Sequence, residues 1–173
     1  MKREKGFTLL EMMVTVGVAA ILLSVGVPSF KGVIMDNRLV RDSNQFVASI
    51  NLARSAAVRF QRNATICTSS NYSVVTPTCS ASTDWSNGWI VWVDKDRDGA
   101  TDTNEILAVH EPLDGTTAFS ATTASLFSFD ARGFGASPAG VLTMCDNRDG
   151  EVGRSIKVNT VGRTNVSREG CTS

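Results

Sequence analysis

The sequence predicts an α+β protein. One long N-terminal α-helix, its first half membrane-spanning, packs on a small antiparallel β-sheet or β-sandwich domain. Three observations carry this expectation. From Phe7 to Val27 the chain is almost wholly apolar, with Glu11 its only strongly polar side chain. Past Pro28, apolar residues recur at helical spacing as far as Gln61. After Asn63 the pattern changes to short β-rich runs between turn residues, and no helix-length amphipathic pattern follows.

The apolar run comes first. As a helix, Phe7–Val27 is about 31 Å long, enough to cross a hydrocarbon core of roughly 30 Å. Thr8, Thr15 and Ser24 can hydrogen-bond within their own helix. A cleaved secretory signal would share the basic start (Lys2, Arg3, Lys5), but its apolar run would be shorter and followed by a small-residue cleavage site. No such A-x-A pattern follows here. A plain membrane anchor leaves Glu11 unexplained, because a charge at membrane depth costs several kcal/mol unless paired or neutralised. Glu11 therefore calls for a cationic partner.

The residues Lys5-Gly6-Phe7-Thr8-Leu9-Leu10-Glu11 resemble the cleavage signature of type IV prepilins. That signature is a short basic leader ending in glycine, then phenylalanine, with glutamate five residues into the mature chain. Pro28 stands where such proteins often carry a helix-bending proline. The resemblance implies that a prepilin peptidase cuts between Gly6 and Phe7 and methylates the new amine. Glu11 would then pair with the Phe7 ammonium of its own or a neighbouring subunit, an assembly contact rather than a catalytic one. A pair satisfied only when subunits stack specifies register. The expected organisation is a leader over 1–6, a transmembrane and assembly helix over 7–30, an amphipathic helix over 31–62 and a β-rich periplasmic or extracellular domain over 63–173.

Within the amphipathic half, Leu39, Phe46, Ile50, Ala53, Ala57 and Phe60 form one stripe. Arg38, Arg41, Asp42, Asn51, Arg59 and Arg62 fall largely off it. Flexure is expected at Gly26, Pro28 or Gly32. Candidate strands are 64–68, 72–76, 88–94, 105–111, 126–131, 140–146, 154–159 and 163–167. Turns are marked at Asn87-Gly88, Asp98-Gly99, Asp114-Gly115, Arg132-Gly133, Asp149-Gly150 and Gly162. Thr116–Ser125, rich in Ser, Thr and Ala, reads as a loop or edge segment.

Formal net charge is zero, so no global field attracts nucleic acid. All four cysteines, Cys67, Cys79, Cys145 and Cys171, follow the apolar run, and an even count in an exported domain favours disulfides. Three connectivities are open; the two sequence-local closures, Cys67–Cys79 and Cys145–Cys171, are preferred. The spacings fit no zinc pattern.

Acids crowd one stretch. Asp94, Asp96, Asp98, Gly99 and Glu105 match D-x-D-x-D-G-x5-E, the loop that wraps Ca²⁺ in an EF-hand, with Asp102 at its ninth position. Closely spaced carboxylates repel one another without a cation. The flanking runs read as strands rather than helices, so a polar hairpin tip with Asp and Gly in turn roles is the competing reading. Ca²⁺ is the one candidate ion, and no cofactor is required. Trp85, Trp89 and Trp92 cluster just before. On a strand Trp89 and Trp92 point to opposite faces, which leaves one to be exposed as a partner contact if both are not core. The sole histidine, His110, has no nucleophile beside it, and no phosphate-binding glycine loop is found. An enzyme is not expected.

The segments GWIVWVDKDRDGATDTNEILAVHE, LFSFDARGFG, GVLTMCDNRDG and SIKVNTVGRTNVS, followed by a late cysteine, resemble in their order the GspH/FimT family of minor pilins and minor pseudopilins. The resemblance implies a pilin-like fold. It further implies a minor, FimU-like subunit stored in the inner membrane, then built into a type IV pilus near its tip, where it primes assembly for adhesion or twitching motility. Its partners would be other minor and major pilins. A GspH-like pseudopilin of type II secretion is the alternative. Some FimT-like members bind DNA through a Gly-Arg-x-Arg motif. Here Gly162 and Arg163 match, and Asn165 replaces the second arginine, which removes a phosphate contact. Arg154, Lys157 and Arg168 complete the candidate patch, with acids close by in sequence.

Overall fold

The computed structural model describes residues 6–135, 139–148 and 152–171. The basic leader residues 1–5, the Asp149-Gly150 turn and Glu151 lie outside the described residues. Contacts divide the chain into two compact units, one up to Arg38 and one from Leu39 onward.

Helix α1 (Leu9–Phe60) runs through both. Thr8 caps its start: the Glu11 backbone N–H donates to Thr8 Oγ1 at 3.2 Å, the first half of a capping box. Within the first unit the large apolar side chains from Phe7 to Ile34 are exposed wherever they are described. Thr15 and Ser24 hydroxyls donate to the Met12 and Ile21 carbonyls at 2.9 and 2.7 Å, so neither presents an unsatisfied donor to its surroundings. Pro28 falls inside the helix and has no N–H to give the Ser24 carbonyl.

In the second unit α1 turns amphipathic. Leu39, Phe46, Ile50, Ala53 and Ala57 are buried as the stripe requires. Asp42 and Ser43 are buried too, contrary to the off-stripe placement of Asp42. The reason is geometric: 39, 42, 43 and 46 follow the i, i+3, i+4, i+7 repeat. Arg41 Nε donates to Asp42 Oδ1 at 2.9 Å. Phe60, expected on the stripe, is 37% exposed. Its ring instead faces the Arg59 and Lys95 cations, each 5.4 Å from the centroid. The helix ends with Gln61 at φ 54° and a bond from Arg62 N–H to the Ala57 carbonyl at 3.2 Å, the left-handed cap that satisfies a last carbonyl.

Among the described residues, eight strands follow in two antiparallel sheets. One has the order β3 (Ile106–His110), β2 (Trp89–Val93), β1 (Ala64–Thr68), β5 (Leu126–Phe129); the other has β4 (Ala118–Ala121), β6 (Gly140–Cys145), β7 (Val152–Val158), β8 (Thr164–Gly170). Phe46 ties them together. Its ring makes edge-on contacts with Trp85 (5.1 Å) in a short 3₁₀ turn, Trp89 (5.5 Å) on β2 and Phe119 (4.9 Å) on β4.

One strand expectation changes. Residues 72–76 are not a strand. Val74 and Val75 are exposed, and the segment is a loop closed by Cys67–Cys79 and organised by Asn71, whose Oδ1 accepts from Ser69 Oγ and Thr78 N–H at 2.9 and 3.0 Å. A disulfide and one amide supply the order that alternation alone suggested a ladder would supply. Residues 116–125, read as a loop or edge segment, contain the edge strand β4. Trp89 and Trp92 are both core, and neither is left exposed as a partner contact. They do face opposite ways, but Trp92, 8% exposed, packs with Cys67, Ile90 and Ile106 in a second small core. Trp89 stacks on His110 at 3.8 Å, and His110 Nε2 lies 3.0 Å from Gln45 Oε1 on the helix, a structural setting for the lone histidine.

Candidate functional site

Three candidate sites arise, and the chain builds them differently. The first is the N-terminal segment. Gly6, Phe7 and Glu11 are exposed. Thr8, which the sequence reading left as a plain helical hydroxyl, is the N-cap, and T-x-x-E is its sequence signal. The contact uses the Glu11 amide, not its carboxylate. Among the described residues that carboxylate has neither a hydrogen bond nor an ion pair. It stands in the first turn, where the helix dipole favours an anion, and is surrounded in sequence by exposed Leu9, Leu10, Met12 and Met13.

The second is the loop between β2 and β3. Carboxylate oxygens of Asp94, Asp96 and Asp98 lie within 4.8 Å of one another. Asp102 and Glu105 are outside that group of three. Asp102 is exposed and its carbonyl accepts the Glu105 N–H at 2.9 Å. Glu105 is buried.

The third is the β7–β8 hairpin. Gly162 lies in its turn, with its N–H donating to the Asn159 carbonyl at 2.9 Å, and the Arg163 N–H donates to Asn159 Oδ1 at 2.7 Å. Arg163 is exposed. The four cations expected to share a patch do not share a face. Arg154 pairs with Arg168, in line with Ile156 and Val166, whereas Lys157 pairs with Asn165, in line with Ser155 and Ser167. Directly opposed residues share a face and successive ones alternate, so the arginine pair and Lys157 lie on opposite sides of the sheet.

The structure contains the disulfides Cys67–Cys79 and Cys145–Cys171; the second ties the end of β6 to the residue after β8. Beside it, Asp146 is held by Arg148, whose Nη2 lies 2.7 Å from Asp146 Oδ2. These bonds, and then the Arg148 amide and charge, keep the Asp146 carboxyl below the usual carboxylate range against the opposing effect of burial.

A helix with an exposed apolar first half, continued into an antiparallel two-sheet domain, defines a pilin-like subunit. The family model described as "Type II transport protein GspH" matches residues 42–162, and the model described as "Prokaryotic N-terminal methylation motif" matches residues 1–27. The chain belongs to the GspH family. Two crystal forms of the type IV minor pilin FimU from Pseudomonas aeruginosa (strain PAO1) share the fold. One matches with TM-score 0.60 and 19% identity over 80% of this chain and 96% of that one. The other has TM-score 0.55 and 19% identity over 75% and 94%. A search of curated proteins finds no significant match.

Proposed function

We propose that the protein is a minor type IV pilin that is processed at Gly6–Phe7, held in the inner membrane by the first half of α1, and then drawn into an initiating complex near the pilus tip. The observation that carries this reading is the lone Glu11 carboxylate in an exposed apolar helix. A helix so apolar needs lipid or neighbouring helices around it, and in either setting an unpaired carboxylate is costly until a cation meets it. The Phe7 ammonium of an adjacent subunit is a cation that only assembly supplies. A minor pseudopilin of type II secretion is the second reading, favoured by the description of the family model that spans the domain.

The test is electron microscopy of surface pili in a strain deleted for the gene. Loss of pili, restored by the wild-type gene and not by a Glu11→Ala copy, is the expected result. Normal piliation in the deletion strain, with loss of exported enzymes from the medium, would overturn the pilus reading in favour of secretion. Restoration of pili by the Glu11→Ala copy would refute the assembly role of the carboxylate.

A further inference from the structure

We propose that the loop from Asp94 to Glu105 is a Ca²⁺ site in which Glu105 is the buried anchor. The three aspartates alone would not carry this, since exposed acids often crowd a hairpin tip. Glu105 carries it. The residue is 1% exposed. Its Oε1 accepts the Lys95 N–H at 2.5 Å and the Asp96 N–H at 3.4 Å. The carboxylate is thereby held at the backbone of Lys95 and Asp96, between the first two aspartates of the loop. Its Oε2 is buried and has no hydrogen-bond partner among the described residues. A carboxylate oxygen removed from water without a donor or cation is strongly unfavourable. The nearest ammonium in sequence does not serve it: Lys95 Nζ donates to the Asn104 carbonyl and lies over the Phe60 ring.

The aspartates fit the same ion. Ca²⁺ takes six to eight oxygens at about 2.3–2.6 Å. Two ligands of one ion can therefore lie up to about 5 Å apart, and the Asp94, Asp96 and Asp98 oxygens lie within 4.8 Å of one another. Glu105 occupies the twelfth position of the loop, the one that supplies a bidentate carboxylate in Ca²⁺ loops of this spacing. Its remaining oxygen would complete the set once the loop closes on the ion. Flanking strands do not oppose this, because a loop needs only fixed ends. The first end is fixed by the Asp94 N–H on the Asn63 carbonyl at 2.9 Å and by Arg62 Nε on the Lys95 carbonyl at 3.2 Å. The ion would thus lock the β2–β3 hairpin against the C-terminal end of α1. Mg²⁺ suits the site poorly, since it demands near-ideal octahedral geometry and releases water reluctantly.

The test is titration of CaCl₂ into the full chain in detergent after chelator treatment, followed by calorimetry and by thermal unfolding read from tryptophan fluorescence. Titration runs to about 10 mM, above the range of about 10⁻⁴–10⁻³ M typical of extracellular Ca²⁺ modules. Saturable heat for one ion per chain and a raised Tm are expected, with MgCl₂ giving little of either. Asp98→Asn, an exposed change that leaves the fold intact, should weaken binding by about tenfold or more. Glu105→Gln should abolish it, and its Tm without Ca²⁺ should not fall below that of the chelated wild type, because a neutral amide replaces an unpaired charge. Absence of heat and of any Tm shift to the end of the titration would overturn the proposal and leave a plain polar hairpin. So would a wild-type response from Asp98→Asn.

Discussion

Phe46→Ala is the sharpest test of how the helix and the two sheets hold together. The side chain is 0% exposed. It makes edge-on contacts with Trp85, Trp89 and Phe119 at 4.9–5.5 Å and with Phe127 at 6.4 Å. Truncating a buried phenylalanine costs about 3–5 kcal/mol through lost transfer energy and the cavity left behind. Favourable aromatic pairs each add about 0.5–1.5 kcal/mol beyond area, and here the partners come from the 3₁₀ turn and three strands that cannot all close in on one void. The upper end of the range, about 4–5 kcal/mol, is therefore expected. For a unit of this size about 3–4 °C of Tm accompanies each kcal/mol, giving a fall of about 12–20 °C. Tryptophan fluorescence of the full chain in detergent reports it directly, because Trp85 and Trp89 line the void. Phe60→Ala is the control: its ring is partly exposed and rests on flexible cations, so it should cost no more than about 1 kcal/mol. A Phe46→Ala loss no larger than that of Phe60→Ala would refute the assignment of Phe46 as the joint of the core.

Two further outcomes follow from the second sheet. A Cβ at Gly153 would strike the Met144 carbonyl oxygen and come within 2.5 and 2.9 Å of the Cys171 and Cys145 sulfurs, so Gly153→Ala cannot keep both the β6–β7 ladder and the disulfide. Titration of thiols in the unfolded variant should reveal free Cys145 and Cys171, together with a lowered Tm; a fully oxidised variant of wild-type Tm would refute this. Asp146 has a side chain only 5% exposed and a pKa lowered in the fold by its Arg148 bonds. Its stabilising contribution is present above the ordinary value of 3.8 and is lost as pH falls through the lower folded value. Asp146→Asn should cost about 1.5 kcal/mol at pH 7, and the gap from wild type should close in unfolding curves taken toward pH 2; a gap independent of pH would refute the ion-pair account.

The sequence was most legible where one periodicity dominated. The stripe from Leu39 to Ala57 and the strand runs around Ile66, Val91, Phe127, Leu142 and Ile156 are buried because their repeat leaves one face, or both, without polar side chains. It was least legible where polar residues obey the same repeat. Asp42 and Ser43 share the helical stripe with Leu39 and Phe46, and a reading by residue type places them outside. Residues 72–76 have the composition of a strand, yet a twelve-residue disulfide loop leaves them no partner to pair with. The hairpin cations differ for a further reason: they are neighbours along the chain, whereas the pleat distributes Arg154 with Arg168 and Lys157 with Asn165 to opposite faces. Glu105 shows the reverse. Its place in a spaced motif was visible, but its burial with an unpartnered oxygen was not, because motif spacing says nothing about which member the fold takes out of water.

The two units obey opposite rules, and the contrast bears on function. From Leu39 onward, apolar side chains are buried and the acids and cations are mostly outside, as expected of a domain in water. Up to Arg38 the described apolar side chains are exposed almost without exception. A patch of that extent is not tolerated on a lone soluble chain, so its surroundings must be lipid or other copies of the same kind of helix. Lipid alone would be served as well by leucine at position 11. Helix capping does not require a carboxylate there either, because the cap contact is made by the Glu11 backbone N–H to Thr8 Oγ1. The dipole contribution of about 0.3–1 kcal/mol is smaller than the several kcal/mol that a charge costs in an apolar setting. Under the proposed assembly role a cation brought by a neighbour offsets that cost, and a residue favourable only when a neighbour is present would select for assembly.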